Sequence, residues 1–240
     1  MRSTSTTHPP AAHPDRVHTP ADVRRIWRVG LALVAPLPML AKGVEYAFTP
    51  VDGGAPFLET VAAFQANLRL VSVLRWLDIA FGILLIPATV ALIWAARRGA
   101  PRLTTAGALL TLPGFLTGFF MLGGGSLALA TARHGLDVAA MAEAAAAFEN
   151  DPSQLVAGLL FLVGIVVGLS LLGGALWRSH AAPRWMGVAL ILGAATHPFV
   201  PGHVAQGVGL LVAAVGFGGA TYALLRTSND EFDLPAVPRR

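Results

Sequence analysis

Three pairs of ionisable residues in this chain have types and spacings that suit chemistry. Lys42 and Glu45 are three residues apart, as are Arg75 and Asp78, and on a helix that spacing puts cation and carboxylate on one face. His197 and His203 flank the run Pro198-Phe199-Val200-Pro201-Gly202. Such a set has three uses. The charges can neutralise one another in an apolar setting; they can line a polar pocket for a small solute, a proton or a lipid head group; or the imidazoles can ligate a metal together with Glu45 or Asp78. The spacing argues against the last, because a separation of six positions with two prolines between the histidines is not a diagnostic ligand spacing.

The elements carrying these pairs are long apolar runs. From Val71 to Ala96 the only charged residues are Arg75 and Asp78, and at about 1.5 Å per residue the run exceeds the roughly 30 Å hydrocarbon core of a bilayer. With 55% hydrophobic residues, 12% charged residues and a mean hydropathy of +0.64, the 240-residue chain departs from the soluble average of about 25% charged residues as membrane proteins do. The sequence therefore predicts an all-α polytopic membrane protein, a six-transmembrane-helix bundle with two short amphipathic helices on its outer face.

The spans are expected at Ile26–Phe48, Leu70–Arg98, Leu103–Leu122, Asp151–Trp177, Trp185–Val200 and Val204–Leu225. Pro36 and Pro38 mark a kink in the first. Gly114 and Gly118 in the third, and Gly164 and Gly168 in the fourth, have the GxxxG spacing that lets helices approach closely. Gly123, Gly124 and Gly125 are expected to end or loosen the third span. Asp151-Pro152-Ser153-Gln154 reads as a helix start, with an N-cap, a proline at the first helical position and a Gln at N3. Phe57, Val61, Phe64 and Leu68 form one amphipathic stripe and Met141, Ala144, Ala145 and Phe148 a weaker one.

Three divisions follow: residues 1–23 as a disordered cytoplasmic tail, 24–226 as one transmembrane domain, and 227–240 as a second disordered cytoplasmic tail. The first tail mixes Ser, Thr and Pro without apolar period. Its histidines, His8, His13 and His18, lie in Pro-rich contexts that must be ordered before they bind a metal. It does not read as a cleavable signal peptide, because the apolar core starts only after Arg28 and runs on too long. With both termini inside, thirteen Arg lie at internal segments and helix ends, against Lys42, Arg69, Arg75 and Arg133 on the external half. That asymmetry predicts cytoplasmic termini and a plasma-membrane location.

Measured from the arginine at the internal end of each span, at about 1.5 Å per residue, Asp78 lies roughly 28 Å away, Glu45 roughly 25 Å, His197 roughly 20 Å and His203 roughly 34 Å. All four, with Lys42 and Arg75, belong to the outer half of the membrane or its boundary. Around the helix axis, at about 100° per residue, Arg75, Gly82, Leu85 and Thr89 share the face of Asp78. That face is expected to look into the bundle, since a carboxylate exposed to lipid is left unpaired.

Composition and motifs exclude several functions. The pI of about 10.6 suggests nucleic acid, yet the basic residues sit at the ends of apolar runs rather than in a patch with interleaved aromatics, so no nucleic-acid partner is expected. The absence of cysteine removes disulfides and thiolate metal sites. The glycine triplet lacks the following Lys-Ser/Thr and the preceding strand of a phosphate cradle. Gly168-Leu169-Ser170, with His203 before a Gly-rich helix, superficially resembles the rhomboid intramembrane serine proteases. Leu171 stands where their motif has Gly, however, and Ser170 and His203 differ in depth by roughly 20 Å, against the roughly 3 Å that nucleophile and base require. Pro201-Gly202-His203 resembles part of the PSGH element of the lipid phosphatases without its companion motifs. Axial His pairs for haem are missing.

No catalytic, cofactor or metal residues are assigned. The sequence reading is a protein that binds or transports a small solute, a proton or a lipid through the outer cluster of Lys42, Glu45, Arg75, Asp78, His197 and His203. The alternatives are a non-catalytic accessory subunit and, third, an intramembrane enzyme. The expected partners are the bilayer itself and a second copy or another membrane protein on the Gly-rich helix faces.

Overall fold

The computed structural model describes residues 22–119, 123–196 and 198–235. Every regular element among them is helical, as the apolar runs require, since a helix satisfies its own backbone polar groups where water is absent. The chain opens with α1 (Arg24–Val34) and α2 (Leu37–Phe48). They are one apolar stretch broken at Ala35-Pro36, where proline has no N–H to continue the ladder. After α3 (Phe57–Ala66) the backbone breaks at Asn67, and α4 runs unbroken from Leu68 to Ala96, with Pro87 inside it. A turn through Gly99, whose φ of +104° favours glycine, leads to Pro101 at the start of α5 (Pro101–Gly118).

The next stretch departs from the sequence expectation. The three glycines expected to end or loosen the third span stand at the start of another helix, α6 (Gly123–His134), beyond residues 120–122, which lie outside the described residues; α6 takes up residues 131–134 expected in a loop. Helix α7 (Val138–Glu149) follows, capped by the Asp137 carboxylate, which accepts from the amides of Ala139 and Ala140. Asp151 caps α8 (Pro152–Val163) by accepting the Ser153 amide at 2.8 Å. A π-helical turn, Gly164–Gly168, joins α8 to α9 (Leu169–Ser179). Helix α10 (Arg184–Thr196) and α11 (His203–Arg226) complete the bundle.

Five helical stretches are long and apolar enough to cross a membrane: Arg24–Phe48, Leu68–Ala96, Pro152–Ser179, His203–Arg226 and Pro101–His134, the last running across residues 120–122, which lie outside the described residues. Helix α10 is apolar but only 13 residues long, about 20 Å at 1.5 Å per residue.

Packing relies on close backbone approach, as expected where lipid removes the hydrophobic drive between helices. The two GxxxG faces meet each other: a Cβ on Gly114 would stand 2.6 Å from the Leu160 carbonyl oxygen and 2.8 Å from Gly164 Cα. Likewise a Cβ on Gly193 of α10 would lie 2.3 Å from the Ala213 amide nitrogen of α11. Leu85, Leu92, Phe115, Leu169, Leu172, Leu190 and Phe217 fill the core between these contacts. A second, smaller cluster packs Val61 and Phe64 of α3 against Val71 of α4 and Ala128 and Leu129 of α6.

Residues 227–235, expected as part of a disordered tail, are ordered. Ser228 and Glu231 form a reciprocal capping box around α12 (Asn229–Phe232). The Phe232 ring is buried beside Trp94, and its carbonyl accepts from Trp94 Nε1 and Arg97 Nη2. An apolar side chain with two donors beneath it offsets the ordering entropy that a polar tail alone does not.

Candidate functional site

At the end of the bundle away from the arginine-rich turns, α2, α4 and α6 bring four charges together. Lys42 and Glu45 lie one turn apart on α2 and Arg75 and Asp78 one turn apart on α4, so each cation faces a carboxylate on its own helix. Across the helices, Lys42 Nζ donates to Asp78 Oδ1 at 2.7 Å. Arg75 Nη1 donates to Asp78 Oδ2 at 2.6 Å, and Arg75 Nη2 donates to Ser126 Oγ of α6. Glu45 Oε2 lies 2.9 Å from Lys42 Nζ in an ion pair that lacks the direction of a hydrogen bond, and Glu45 Oε1 accepts from the Thr49 hydroxyl at 3.2 Å. Glu45, Lys42, Asp78, Arg75 and Ser126 thus form one continuous chain.

Asp78 is the most enclosed member, its side chain 7% exposed against 15% for Lys42, 16% for Glu45 and 28% for Arg75. Two cations and two carboxylates sum to zero, the condition under which charges persist in a low-dielectric interior. The carboxylate acquires both of its partners because Arg75 and Asp78 share a helix face and that face turns toward α2.

The histidines stand differently. His203 opens α11 and stacks on Tyr46 with ring centroids 4.6 Å apart, and its amide donates to Asp52 Oδ1 at 2.9 Å. Its Nδ1 is buried and has no hydrogen-bond partner among the described residues. A Cβ on Gly53 would come within 2.6 Å of His203 Nε2, so the loop at Gly53 passes close to the imidazole. His203 therefore borders the ion chain through Tyr46 rather than joining it. His197 lies outside the described residues. Among those described, no group of three or more His, Cys, Asp or Glu side chains is placed to hold a metal ion.

Next to the ion chain lies a cavity of about 200 Å³ lined by Lys42, Tyr46, Phe81, Gly82, Leu85, Phe115, Gly118, Phe119 and Phe161. Lys42 Nζ sits 4.8 Å from the Tyr46 ring centroid and 5.7 Å from that of Phe81, within cation–π range. Five aromatic rings and one ammonium group therefore define its chemistry. No protein-family model, curated protein or solved structure matches the chain, so this geometry has to carry the functional argument.

Sequence reasoning missed Tyr46, Ser126 and the aromatic wall. Tyr46 had a signal, since it lies four residues after Lys42 on the same helix face. Ser126 had none: it follows the glycine triplet, where the helix was expected to stop.

Proposed function

We propose that this chain is a six-span protein of the plasma membrane with cytoplasmic termini, and that it binds a small neutral amphiphile in the aromatic cavity beside Lys42. The observation that carries the reading is Lys42 itself. Its ammonium has three N–H donors; one is used on Asp78, Glu45 lies beside it as an ion pair only, and the same group forms part of a wall that is otherwise aromatic or aliphatic.

Size and charge narrow the ligand. A cavity of about 200 Å³ exceeds the ~150 Å³ that accommodates a benzene and falls below the roughly 300–1,000 Å³ of drug-sized sites. The charges beside it already cancel, so an anion gains little and a neutral acceptor on Lys42 gains most. The ligand class is a single-ring or similarly small apolar molecule with one carbonyl, ether or hydroxyl oxygen.

The sixth crossing is supported by the path of α10, which leaves the Arg184 turn, packs along α9 and α11 and returns the chain toward His203. The distribution of arginine supports the orientation. Helices α3 and α7 suit the role of outer caps over the cavity end.

Binding of neutral phenols and of benzoate to the full chain in nanodiscs, followed by calorimetry, tests the ligand class. Gly82→Val fills the cavity, because a Cβ there already reaches Phe119 Cε1 at 3.0 Å, and should abolish phenol binding. Leu85→Ala should shift preference to larger rings. Tighter binding of benzoate than of phenols, or binding unaffected by Gly82→Val in a folded protein, would overturn the proposal.

A second reading, a non-catalytic accessory subunit held together by the ion chain, has one observation in its favour: every charge in that chain already has a partner. The Gly114 and Gly164 faces are used within the chain, so a partner helix would need Gly30, Gly174 or Gly218, beside which space is open.

A further inference from the structure

At the opposite end of the bundle a second concavity, of about 360 Å³, lies between α4 and α5. It runs along α5 from Pro101 through Ala108 and Leu109 to Pro113, with Ile93 of α4 and Arg97 just past its end on the other side. The twelve helical rises from Pro101 to Pro113 span about 18 Å, close to the ~15 Å of one leaflet in a ~30 Å hydrocarbon core. The groove is thus as deep as one lipid tail is long, and its walls are mostly aliphatic.

Its mouth is the turn that carries Arg97, Arg98 and Arg102. Among the described residues none of these three has a carboxylate within ion-pair distance, whereas Arg24 has Asp22, Asp230 and Asp233. Arg97 Nη2 donates to the Phe232 carbonyl and Arg98 Nη1 to that of Glu231 at 3.4 Å. Arg97 Nε is buried without a hydrogen-bond partner among the described residues. Neutral carbonyls orient Arg97 and Arg98, and none of the three arginines is in contact with a carboxylate among the described residues, although Asp233 acts on Arg97 from beyond ion-pair distance.

Their level in the membrane follows from the tryptophans. Four of the five lie at this end of the bundle: Trp27 near the start of α1, Trp94 and Trp177 near the ends of α4 and α9, and Trp185 at the start of α10. Trp27, Trp177 and Trp185 are exposed, the arrangement of an interfacial belt at head-group depth. The Arg97 guanidinium sits 4.0 Å over the Trp94 ring, so it shares that depth.

We propose that this groove binds one anionic phospholipid, with an acyl chain lying along α5 and the phosphate held at Arg97, Arg98 and Arg102. A leaflet-deep apolar channel that opens at head-group level on arginines without a carboxylate in contact fits that chemistry, and basic pockets between membrane helices take acidic head groups by the same logic. The site is separate from the Lys42 cavity, and its occupancy does not depend on what binds there.

The test titrates the full chain in detergent with phosphatidylglycerol or phosphatidylcholine of identical acyl chains and reads bound lipid by native mass spectrometry. Wild type is expected to prefer phosphatidylglycerol. Arg98→Gln with Arg102→Gln spares Arg97, which holds the C-terminal segment; it should weaken phosphatidylglycerol binding about fivefold per arginine removed and leave phosphatidylcholine unchanged. Ala108→Trp, which blocks the groove, should weaken both lipids. If that variant fails to fold, Leu109→Gln at a 69% exposed groove position replaces it with the same expectation. Equal binding of the two lipids by wild type, an undiminished preference in the arginine variant, or full phosphatidylglycerol binding by a folded groove variant would each overturn the proposal.

Discussion

Asp78→Asn offers the most direct test of how the ion chain is balanced. The substitution keeps the side-chain shape and removes one negative charge from a group of four that sums to zero. Lys42 then retains Glu45 at 2.9 Å, while Arg75 retains only Ser126. Removing one partner of a buried pair costs about 3–5 kcal/mol, because the other is left as an uncompensated charge. The Arg75 side chain is 28% exposed, so solvent relieves part of this and the expected loss is near the lower bound, about 3 kcal/mol. Adding Arg75→Gln restores neutrality and lets two amides pair. The double variant should therefore recover most of the loss and end within about 1 kcal/mol of wild type, the scale of a single hydrogen bond in a membrane interior. Reversible unfolding in mixed micelles, followed by tryptophan fluorescence, measures both. A double variant as unstable as the single one, or a single variant that loses less than about 1 kcal/mol, would show that mutual neutralisation is not what holds these groups.

Other features predict their own outcomes. Gly193→Ala places a Cβ against backbone atoms of Ala213 and Gly209 and should cost about 1–3 kcal/mol; Gly218→Ala meets open space and should gain up to about 1 kcal/mol of helix propensity, and thermal unfolding that ranked the two the other way would refute the packing. The Ser153 hydroxyl and amide hold the Asp151 carboxyl below its ordinary value of 3.8. Its capping contribution is therefore complete above that pH and lost as pH falls through the lower folded value, whereas Asp151→Asn should keep the cap and abolish this acid dependence of Ser153 amide exchange. Phe232→Ala should release the C-terminal segment, raising cleavage after Glu231 by a glutamyl endopeptidase about tenfold or more, the factor for about 1.4 kcal/mol of lost docking, with the bundle's own unfolding unchanged.

The helices were legible in the sequence because lipid demands long apolar runs, and α4 begins and ends within two residues of the stretch Leu70–Arg98. The Asp151 cap was legible because its chemistry is local. Depth along each helix placed Lys42, Glu45, Arg75 and Asp78 in one zone, yet depth does not say which faces meet. The 2.7 Å contact from Lys42 to Asp78 depends on how α2 and α4 are rotated, and that is decided by packing far from either residue. Composition did not show that Gly123 to Gly125, expected to end or loosen the third span, open a helix of their own. At the C-terminus a readable signal was passed over: Ser228 and Glu231 have the spacing of a capping box, and Phe232 behind them is apolar. The tail's charge concealed a short element that docks by one ring.

Helix α10 bears on the lipid as well as on the chain. A crossing built on 13 helical residues covers about 20 Å of a hydrocarbon layer roughly 30 Å thick. Trp185 and Leu192 on this helix are exposed, so if α10 crosses as proposed, the acyl chains beside it must shorten, disorder or bend inward. Mismatch costs fractions of a kcal/mol per ångström and sorts proteins among membranes of different thickness. On the proposed six-span reading, the bundle is therefore expected to carry a local dimple in the bilayer, deepest beside α10, and to be most comfortable where the membrane is thin.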